Sequence, residues 1–213
     1  MWGAEGDILL RTGRQLILSM RRWPKMRLKI ATFGDPVLRA DSQELSKEQI
    51  LGSSIQDLIE HMRETLRDAP GVGLAAPQIG QSLRLAVIED RVEYHKTLTE
   101  SDLKDRGRTE TPFHVIVNPV IESRGAAIAT FFEGCLSLPG FTALVPREKE
   151  VRVSCLDHRG ESQIIDASGW YARILQHEID HLDRTLYIDR MHSRSFSSLD
   201  NYTRYWKDRL PDH

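Results

Sequence analysis

The sequence has few cysteines, no strong excess of one charge and no long apolar run, and each absence excludes a class of protein. Two cysteines in 213 residues provide no disulfide framework, which suits a reducing compartment. The net charge of −2 lacks a basic excess, so we predict no direct nucleic-acid binding. No run approaches the roughly 18 apolar residues that span a bilayer, so we predict no membrane contact.

The composition is that of an ordinary globular domain, with 40% apolar and 28% charged residues. Apolar residues at helical spacing predict a long helix near the N-terminus, over residues 47–67. Residues 92–111 are polar and predict an exposed insertion or loop, and residues 157–160 predict a hairpin turn in which His158 is solvated. Strands are predicted over residues 83–89, 113–118, 128–133, 150–156 and 162–165.

The most informative motif is HExxH at residues 177–181, on a helix predicted to begin after Ser168. Residues four apart share one helix face, so the imidazoles of His177 and His181 can reach one metal ion. Glu178 between them is a candidate general base acting on water. The motif also arises by chance in helices with solvated histidines, so it requires further ligands to indicate a metal site.

A third ligand is not evident downstream of the motif. The extended peptidase pattern HExxHxxGxxH would need Gly and His where the chain has Arg184 and Tyr187, and no glutamate follows Glu178. An upstream ligand is therefore favoured. Three downstream residues without a recognisable spacing stay open as ligands: Asp189, Asp200 and His192.

The two cysteines lie in different settings. Cys155 belongs to an alternating strand and is interpreted as a small buried hydrophobe. Cys135 lies where a predicted strand ends in a Gly/Pro turn, and its thiolate is free to face a site. One cysteine and two histidines would leave a fourth coordination position open, which is typical of catalytic rather than structural sites.

Residues 70–80 are small and apolar, with one side-chain amide, that of Gln78. Glycines here let the backbone approach a ligand closely and offer free N–H and C=O groups to an extended peptide. A phosphate loop is the competing interpretation, but the Lys-Ser/Thr ending and the following helix are missing.

These segments together resemble the peptide deformylase family, which is marked by GxGLAAxQ, EGCLS and QHExDHL in that order. The chain matches all three completely, at residues 71–78, 133–137 and 176–182. The resemblance runs from about residue 29 to about residue 194. Residues 167–174 and 187–189 are similar to the branch found in organelles and many bacteria.

The resemblance implies a metal-dependent hydrolase that removes the formyl group from the N-terminal formyl-methionine of newly made polypeptides and releases formate. It implies Fe²⁺ as the ion, with Zn²⁺, Ni²⁺ or Co²⁺ as substitutes, and N-formyl-methionyl peptides of nascent chains, near the ribosome, as partners. The implied metal ligands are Cys135, His177 and His181. The implied catalytic groups are Glu178 as base and, for the oxyanion, the Gln78 amide and the Leu136 N–H. The implied peptide-binding backbone is that of Val72 and Gly73.

Two other classes remain open on the sequence alone. A zinc endopeptidase would cleave an internal, unformylated peptide bond, and the missing downstream ligand motif disfavours it. A non-catalytic peptide-binding module would bind peptide while substitution of Glu178 changed no turnover, and the intact Gln78, Cys135 and Glu178 disfavour it.

The expected fold is α+β, with mostly antiparallel sheets packed around the central HExxH helix and a long N-terminal helix. We predict an N-terminal extension of uncertain role at residues 1–26, a catalytic domain at 27–194 and an aromatic C-terminal tail at 195–213. The expected location is the bacterial cytoplasm, or a mitochondrion or plastid if the extension is a targeting segment, although Glu5 and Asp7 disfavour a transit peptide. Arg184 replaces the glycine usual in the family, and we expect a local adjustment of the helix end.

Overall fold

The computed structural model describes residues 27–96 and 98–207. The predictions for residues 1–26 and for the last six residues of the tail lie outside this part of the chain. The strands are β1 Gly73–Ala75, β2 Leu85–Asp90, β3 Thr111–Arg124, β4 Ile128–Glu133, β5 Phe141–Glu148, β6 Glu150–Leu156, β7 Ser162–Ser168 and β8 Ser197–Ser198. The α-helices are α1 Lys47–Leu51, α2 Ser53–Asp68, α3 Val92–His95, α4 Glu100–Arg106, α5 Gly169–Leu182 and α6 Leu199–Asn201. The described chain also contains four short 3₁₀ turns, at Pro36–Arg39, Ala76–Ile79, Tyr187–Asp189 and Ser193–Ser195. A π-helical turn follows at Tyr202–Trp206.

The strands form two antiparallel sheets, in the orders β1-β2-β3-β6-β7 and β4-β5-β8. Alternate side chains of β2 point to opposite faces of the larger sheet. Val87 packs with Ile59 and Met62 of α2 on one face, whereas Ala86 packs with Leu175 of α5 on the other. The α+β prediction, with antiparallel sheets around the motif helix, is confirmed.

The predicted helix over residues 47–67 is wrong as one continuous element. Gly52 has φ −66° and ψ 144°, an extended conformation that separates α1 from α2. Glycine is costly inside a helix, and the break lets Ile50 and Ile55 face the same core. The sixteen-residue α2 is the long N-terminal helix of the fold.

Residues 92–111 form a largely exposed insertion, one of the two predicted alternatives, and not a simple loop. They contain α3 and α4, and Thr99 caps α4 by accepting a hydrogen bond from the Asp102 N–H. Gly107 ends α4 in the left-handed conformation, with φ 55°. Helices this short show little apolar periodicity, so only their capping residues indicate them in the sequence.

Two predicted strands, β4 and β6, have the predicted bounds, and three others are displaced or longer. The sequence did not predict β5, although it is central to the smaller sheet. The predicted turn at residues 157–160 is present, with Gly160 donating to the Asp157 carbonyl at 3.0 Å. Within the described residues no helix is both long enough and apolar enough to cross a bilayer.

The end of α5 keeps its usual geometry without a glycine. Arg184 itself adopts the left-handed conformation, with φ 61°, so the expected adjustment of the helix end does not occur. The Thr185 N–H donates to the Asp180 carbonyl at 2.8 Å and the Arg184 N–H to the His181 carbonyl at 3.3 Å, which is the Schellman pattern. The guanidinium of Arg39 donates to the Arg184 carbonyl at 2.9 Å and thereby holds this strained residue.

The described part of the C-terminal tail lies against the smaller sheet. The ring of Phe196 stacks on Phe141 with centroids 5.2 Å apart, and Tyr202 contacts Phe132 at 4.6 Å. The Leu199 N–H donates to the Gly140 carbonyl at 2.9 Å. The tail therefore lies beside the loop that follows β4.

Candidate active site

Three distant segments of the chain meet beside α5. The donor atoms of Cys135, His177 and His181 all lie within 4.8 Å of one another. The Sγ atom of Cys135 is 3.2 Å from Nε2 of His181, and the two imidazole centroids are 5.1 Å apart. The two histidines are four residues apart on one helix, and the side chain of Cys135 approaches them from the turn after β4.

This donor set fits a divalent transition metal. A thiolate with two imidazoles suits zinc, iron, nickel or cobalt, and three protein donors leave a coordination position for a reactant. Nδ1 of His177 lies 3.0 Å from Oε2 of Glu133, so its Nε2 is the ring nitrogen left for a metal. Such outer carboxylates fix the orientation of metal-binding histidines.

A buried charge network lies behind the histidines. Arg147 donates to Glu133 at 2.6 Å and to Asp180 at 2.8 Å, and Arg173 contacts Glu133 at 2.5 Å. Burial alone would raise the pKa of Glu133, but the charge of Arg147 and the hydrogen bond with His177 outweigh it and hold that pKa well below its usual range. Glu133 is therefore a stable anion against which His177 is held.

Glu178 is buried beside the three donors. Burial raises the pKa of its carboxyl to about 7, against the opposing effect of His177 and Arg147. Its Oε2 has no hydrogen-bond partner among the described residues. A Cβ at Gly73 would lie 2.1 Å from Oε1 of Glu178, so β1 can approach this carboxyl only with glycine at that position.

Gln78 is fixed with its amide nitrogen towards the thiolate. Its Oε1 accepts a hydrogen bond from the Ala75 N–H at 2.8 Å, and its Nε2 lies 3.4 Å from Cys135 Sγ and 3.2 Å from the Ser137 hydroxyl. In the described part of the chain, the N–H of Leu136 donates no hydrogen bond. The Gln78 amide therefore lies beside the candidate ligand Cys135, and Leu136, with its free N–H, directly follows that cysteine in the chain.

A cavity of about 440 Å³ opens from these groups and follows α5 as far as Trp170. Val72 and Gly73 line it, and β1 is the first strand of its sheet, so its outer edge has no strand partner in the described chain. An extended peptide can pair with such an edge through main-chain hydrogen bonds.

The other candidate ligands lie elsewhere. Asp189 forms an ion pair with Arg39 and accepts from the Leu186 N–H at 2.7 Å. Among the described residues, neither Asp200 nor His192 belongs to a group of three metal-binding side chains. Cys155 is buried on β6, as predicted, and burial raises the pKa of its thiol to about 11.

Sequence reasoning did not assign the charged residues that support the histidines. Glu133 was recognised only as part of a motif, and Arg147 and Asp180 were not singled out. Asp180 could have been found, because it is a charged residue on the buried side of an amphipathic helix. Arg147 lies on β5, which the sequence did not predict, and no local pattern indicates its partners.

Comparison with known families agrees with this geometry. The sequence model of the family described as polypeptide deformylase matches residues 27–197. The chain belongs to the polypeptide deformylase family. The deformylase motifs at residues 71–78, 133–137 and 176–182 are the segments that the fold brings together.

Two deformylases and one solved structure illustrate the similarity. The chain is 49% identical to peptide deformylase 1A, chloroplastic, of Solanum lycopersicum over 81% of this chain and 62% of that one. It is 45% identical to peptide deformylase 1 of Streptomyces coelicolor over 86% of this chain and 82% of that one. The Met-Ala-Ser-bound class I type b peptide deformylase of Acinetobacter baumannii superposes with a TM-score of 0.71 at 29% identity, covering 79% of this chain and 100% of that one.

The chain thus spans less than two thirds of the length of the chloroplastic relative. Deformylases similar to it are named as bacterial, chloroplastic and mitochondrial forms. Its family is metal-dependent, and the Cys-His-His group provides a matching set of donors.

Proposed function

We propose that this protein removes the formyl group from the N-terminal formyl-methionine of newly made polypeptides and releases formate. The observation that carries the proposal is the grouping of Cys135, His177 and His181 at one end of a peptide-sized cavity, with the buried Glu178 beside them. Family membership supports the same reaction.

We propose Cys135, His177 and His181 as the ligands and Fe²⁺ as the physiological ion, with Zn²⁺, Ni²⁺ or Co²⁺ as substitutes. When bound, a divalent ion of this kind polarises a carbonyl and lowers the pKa of water. The hydrogen bond from His177 to Glu133 supports this assignment because it leaves Nε2 for the ion.

Side chains of this protein carry out the remaining steps of the proposed reaction. Glu178 takes a proton from the attacking water and later delivers it to the departing amide nitrogen, as the bond between formyl carbon and nitrogen breaks. A carboxyl whose pKa is raised to about 7 by burial can both accept and donate that proton near neutral pH. Both roles need Glu178 beside the scissile amide, which the small Gly73 permits.

The amide Nε2 of Gln78 and the Leu136 N–H donate to the formyl oxygen as it gains negative charge. Loss of one such donor typically costs about 3–4 kcal/mol of transition-state stabilisation. The backbone of Val72 and Gly73 holds the peptide as an added strand on the open edge of β1.

We also propose that residues 27–194 form the catalytic unit and that the protein acts in the bacterial cytoplasm, near the ribosome. A targeting role for residues 1–26 would instead assign it to a mitochondrion or plastid. A bacterial relative supports the first location, and relatives named as chloroplastic and mitochondrial support the second. Cell fractionation with an antibody against the chain would distinguish the two.

The reaction is tested by formate release from formyl-Met-Ala-Ser, with protein purified without oxygen and loaded separately with iron, nickel or zinc. We expect release by the wild type and by Cys155→Ala, loss of bound metal in Cys135→Ala, and retained metal with nearly complete loss of rate in Glu178→Ala. Metal content is measured by atomic absorption.

Other outcomes would favour the alternatives. Cleavage of an internal bond in an unformylated peptide would indicate an endopeptidase. Peptide binding without formate release by any metal-loaded form would indicate a binding module. Full metal content and activity in Cys135→Ala would contradict the ligand assignment.

A further inference from the structure

An arginine from the insertion reaches the cavity of the candidate active site. Arg106, in the last turn of α4, lines the cavity at the end opposite to His177 and Glu178. Its guanidinium carbon lies 5.1 Å from the ring centroid of Trp170 and 5.5 Å from that of Phe131. Both distances are within the range of cation–π contact, so the guanidinium rests on an aromatic surface.

Two glycines hold this arginine in place. A Cβ at Gly169 would lie 2.6 Å from the carbonyl oxygen of Gly107, so the end of α4 packs directly on the start of α5. The Trp170 N–H also points to the Gly107 carbonyl, at 3.5 Å. The backbone contacts between the ends of the two helices thus fix the position of Arg106.

Two other arginines surround Trp170, and both have carboxylate partners. Arg108 makes two hydrogen bonds to Asp90, at 2.7 and 2.8 Å, and Arg173 contacts Glu133 at 2.5 Å. Their charges are compensated inside the protein.

Arg106 differs from them. In the described part of the chain, no carboxylate forms an ion pair with it. Asp102, one helical turn earlier, is engaged by the N–H and hydroxyl of Thr99 at 3.0 and 2.7 Å. The cavity wall beside Trp170 therefore contains the two paired arginines Arg108 and Arg173 and, among the described residues, one arginine without an ion-pair partner, Arg106.

The spacing along α5 gives the distance from Trp170, on which the Arg106 guanidinium rests, to His177 at the other end of the cavity. Trp170 precedes His177 by seven residues, and a helix rises about 1.5 Å per residue, which places the two about 10 Å apart. An extended peptide advances about 3.3 Å per residue. A peptide whose formyl group lies at His177 and Glu178 would bring its third residue near Arg106.

We propose that Arg106 is a specificity-determining residue that binds an acidic side chain, Asp or Glu, at the third position of the formylated peptide. A guanidinium stacked on aromatic rings keeps its edge N–H groups free for a bidentate contact with a carboxylate. This inference rests on the proposed function, because it defines a substrate class for the same site.

The test compares formyl-Met-Ala-Asp-Ser-amide with formyl-Met-Ala-Asn-Ser-amide, in which the amidated end removes the terminal carboxylate. For the iron- or nickel-loaded wild type we expect kcat/KM to be about fivefold higher for the Asp peptide, mainly through KM, as a partly exposed charge pair allows. In Arg106→Gln this ratio falls to about one. Arg106→Lys keeps part of it, because the charge remains and the planar fork is lost.

Lys104→Gln is the matched control, since Lys104 is an exposed cation of the same helix that does not line the cavity. It should keep the wild-type ratio. Calorimetric binding of the product peptides Met-Ala-Asp-Ser-amide and Met-Ala-Asn-Ser-amide gives a second readout that does not depend on turnover, and it should show the same preference.

The outcomes separate the inference from the proposed function. Equal use and equal binding of both peptides by the wild type overturn the role of Arg106 while the reaction stands. An equal fall of the ratio in Lys104→Gln also overturns it, because general surface charge would then explain the preference. Absence of formate release from either peptide contradicts the proposed reaction instead.

Discussion

Nδ1 of His177 lies 3.0 Å from Oε2 of Glu133, and this contact joins the motif helix to the end of β4. Glu133 also accepts from Arg147 and Arg173, so one carboxylate orients a candidate metal ligand and compensates two buried cations. The same residue therefore influences both metal affinity and folding stability.

Replacement of Glu133 by Gln should affect both properties. The variant leaves Arg173 without a carboxylate, and breaking a buried ion pair typically costs about 3–5 kcal/mol. We expect a fall of roughly that size in the free energy of unfolding, measured in urea, and metal affinity at least about tenfold weaker. Glu148→Gln, which removes a more exposed pair with Arg124, should change neither by a comparable amount.

The close approach of Gly73 to Glu178 predicts a large effect from one methyl group. In Gly73→Ala the new Cβ would meet Oε1 of Glu178 at 2.1 Å, so the carboxyl must move from its position beside the candidate metal ligands. We expect activity to fall by about a hundredfold or more, as for a misplaced catalytic group, with metal content unchanged. Gly125→Ala, at the turn between β3 and β4, serves as the control, and equal losses in both variants would contradict this explanation.

Arg184 occupies a conformation that favours glycine. Replacement by Gly removes a strain of about 1 kcal/mol, while the exposed contact with Asp41 contributes little. Thermal unfolding of Arg184→Gly should therefore show a higher Tm by a few degrees, with activity within about twofold of the wild type. A manyfold rise in activity without a change in Tm would show that Arg184 affects the site itself.

The ion pair of Arg67 with Glu89 predicts a pH dependence of stability. The hydrogen bond from Arg67 lowers the pKa of Glu89 below its ordinary 4.5, so the folded state favours the ionised carboxylate. The contribution is complete above pH 4.5 and is lost as the pH falls through the lower folded-state value. In Arg67→Met, Tm should decrease less steeply from pH 6 to about pH 3 than in the wild type. Arg194→Met, at an exposed arginine, should retain the wild-type slope.

The parts of this structure that could be predicted from sequence are those whose signal is local. His177 and His181 share a helix face at a fixed spacing, and β4 and β6 have simple bounds. The strand β5 was missed because Thr142 to Val145 are all buried and Pro146 interrupts the pattern, so neither alternation nor composition marks it. The break at Gly52 was missed because the apolar periodicity continues across it.

The remaining features depend on contacts between distant segments. The pairing of Glu133 with Arg147 crosses two strands, and the position of Arg106 follows from the packing of Gly107 on Gly169. The residues of each of these two contacts are not separated by a fixed number of residues, so no sequence motif can indicate the contact. The candidate site residues are predicted from three motifs, whereas the charged residues that support them become evident only in the fold.

The outer edge of β1, which has no strand partner among the described residues, has a consequence for the range of peptides that the proposed reaction would accept. Main-chain N–H and C=O groups are the same in every polypeptide, so an edge that recognises them does not distinguish between gene products. Under the proposed function, side-chain contacts further along the cavity would change the order in which nascent proteins are processed without restricting which of them are processed.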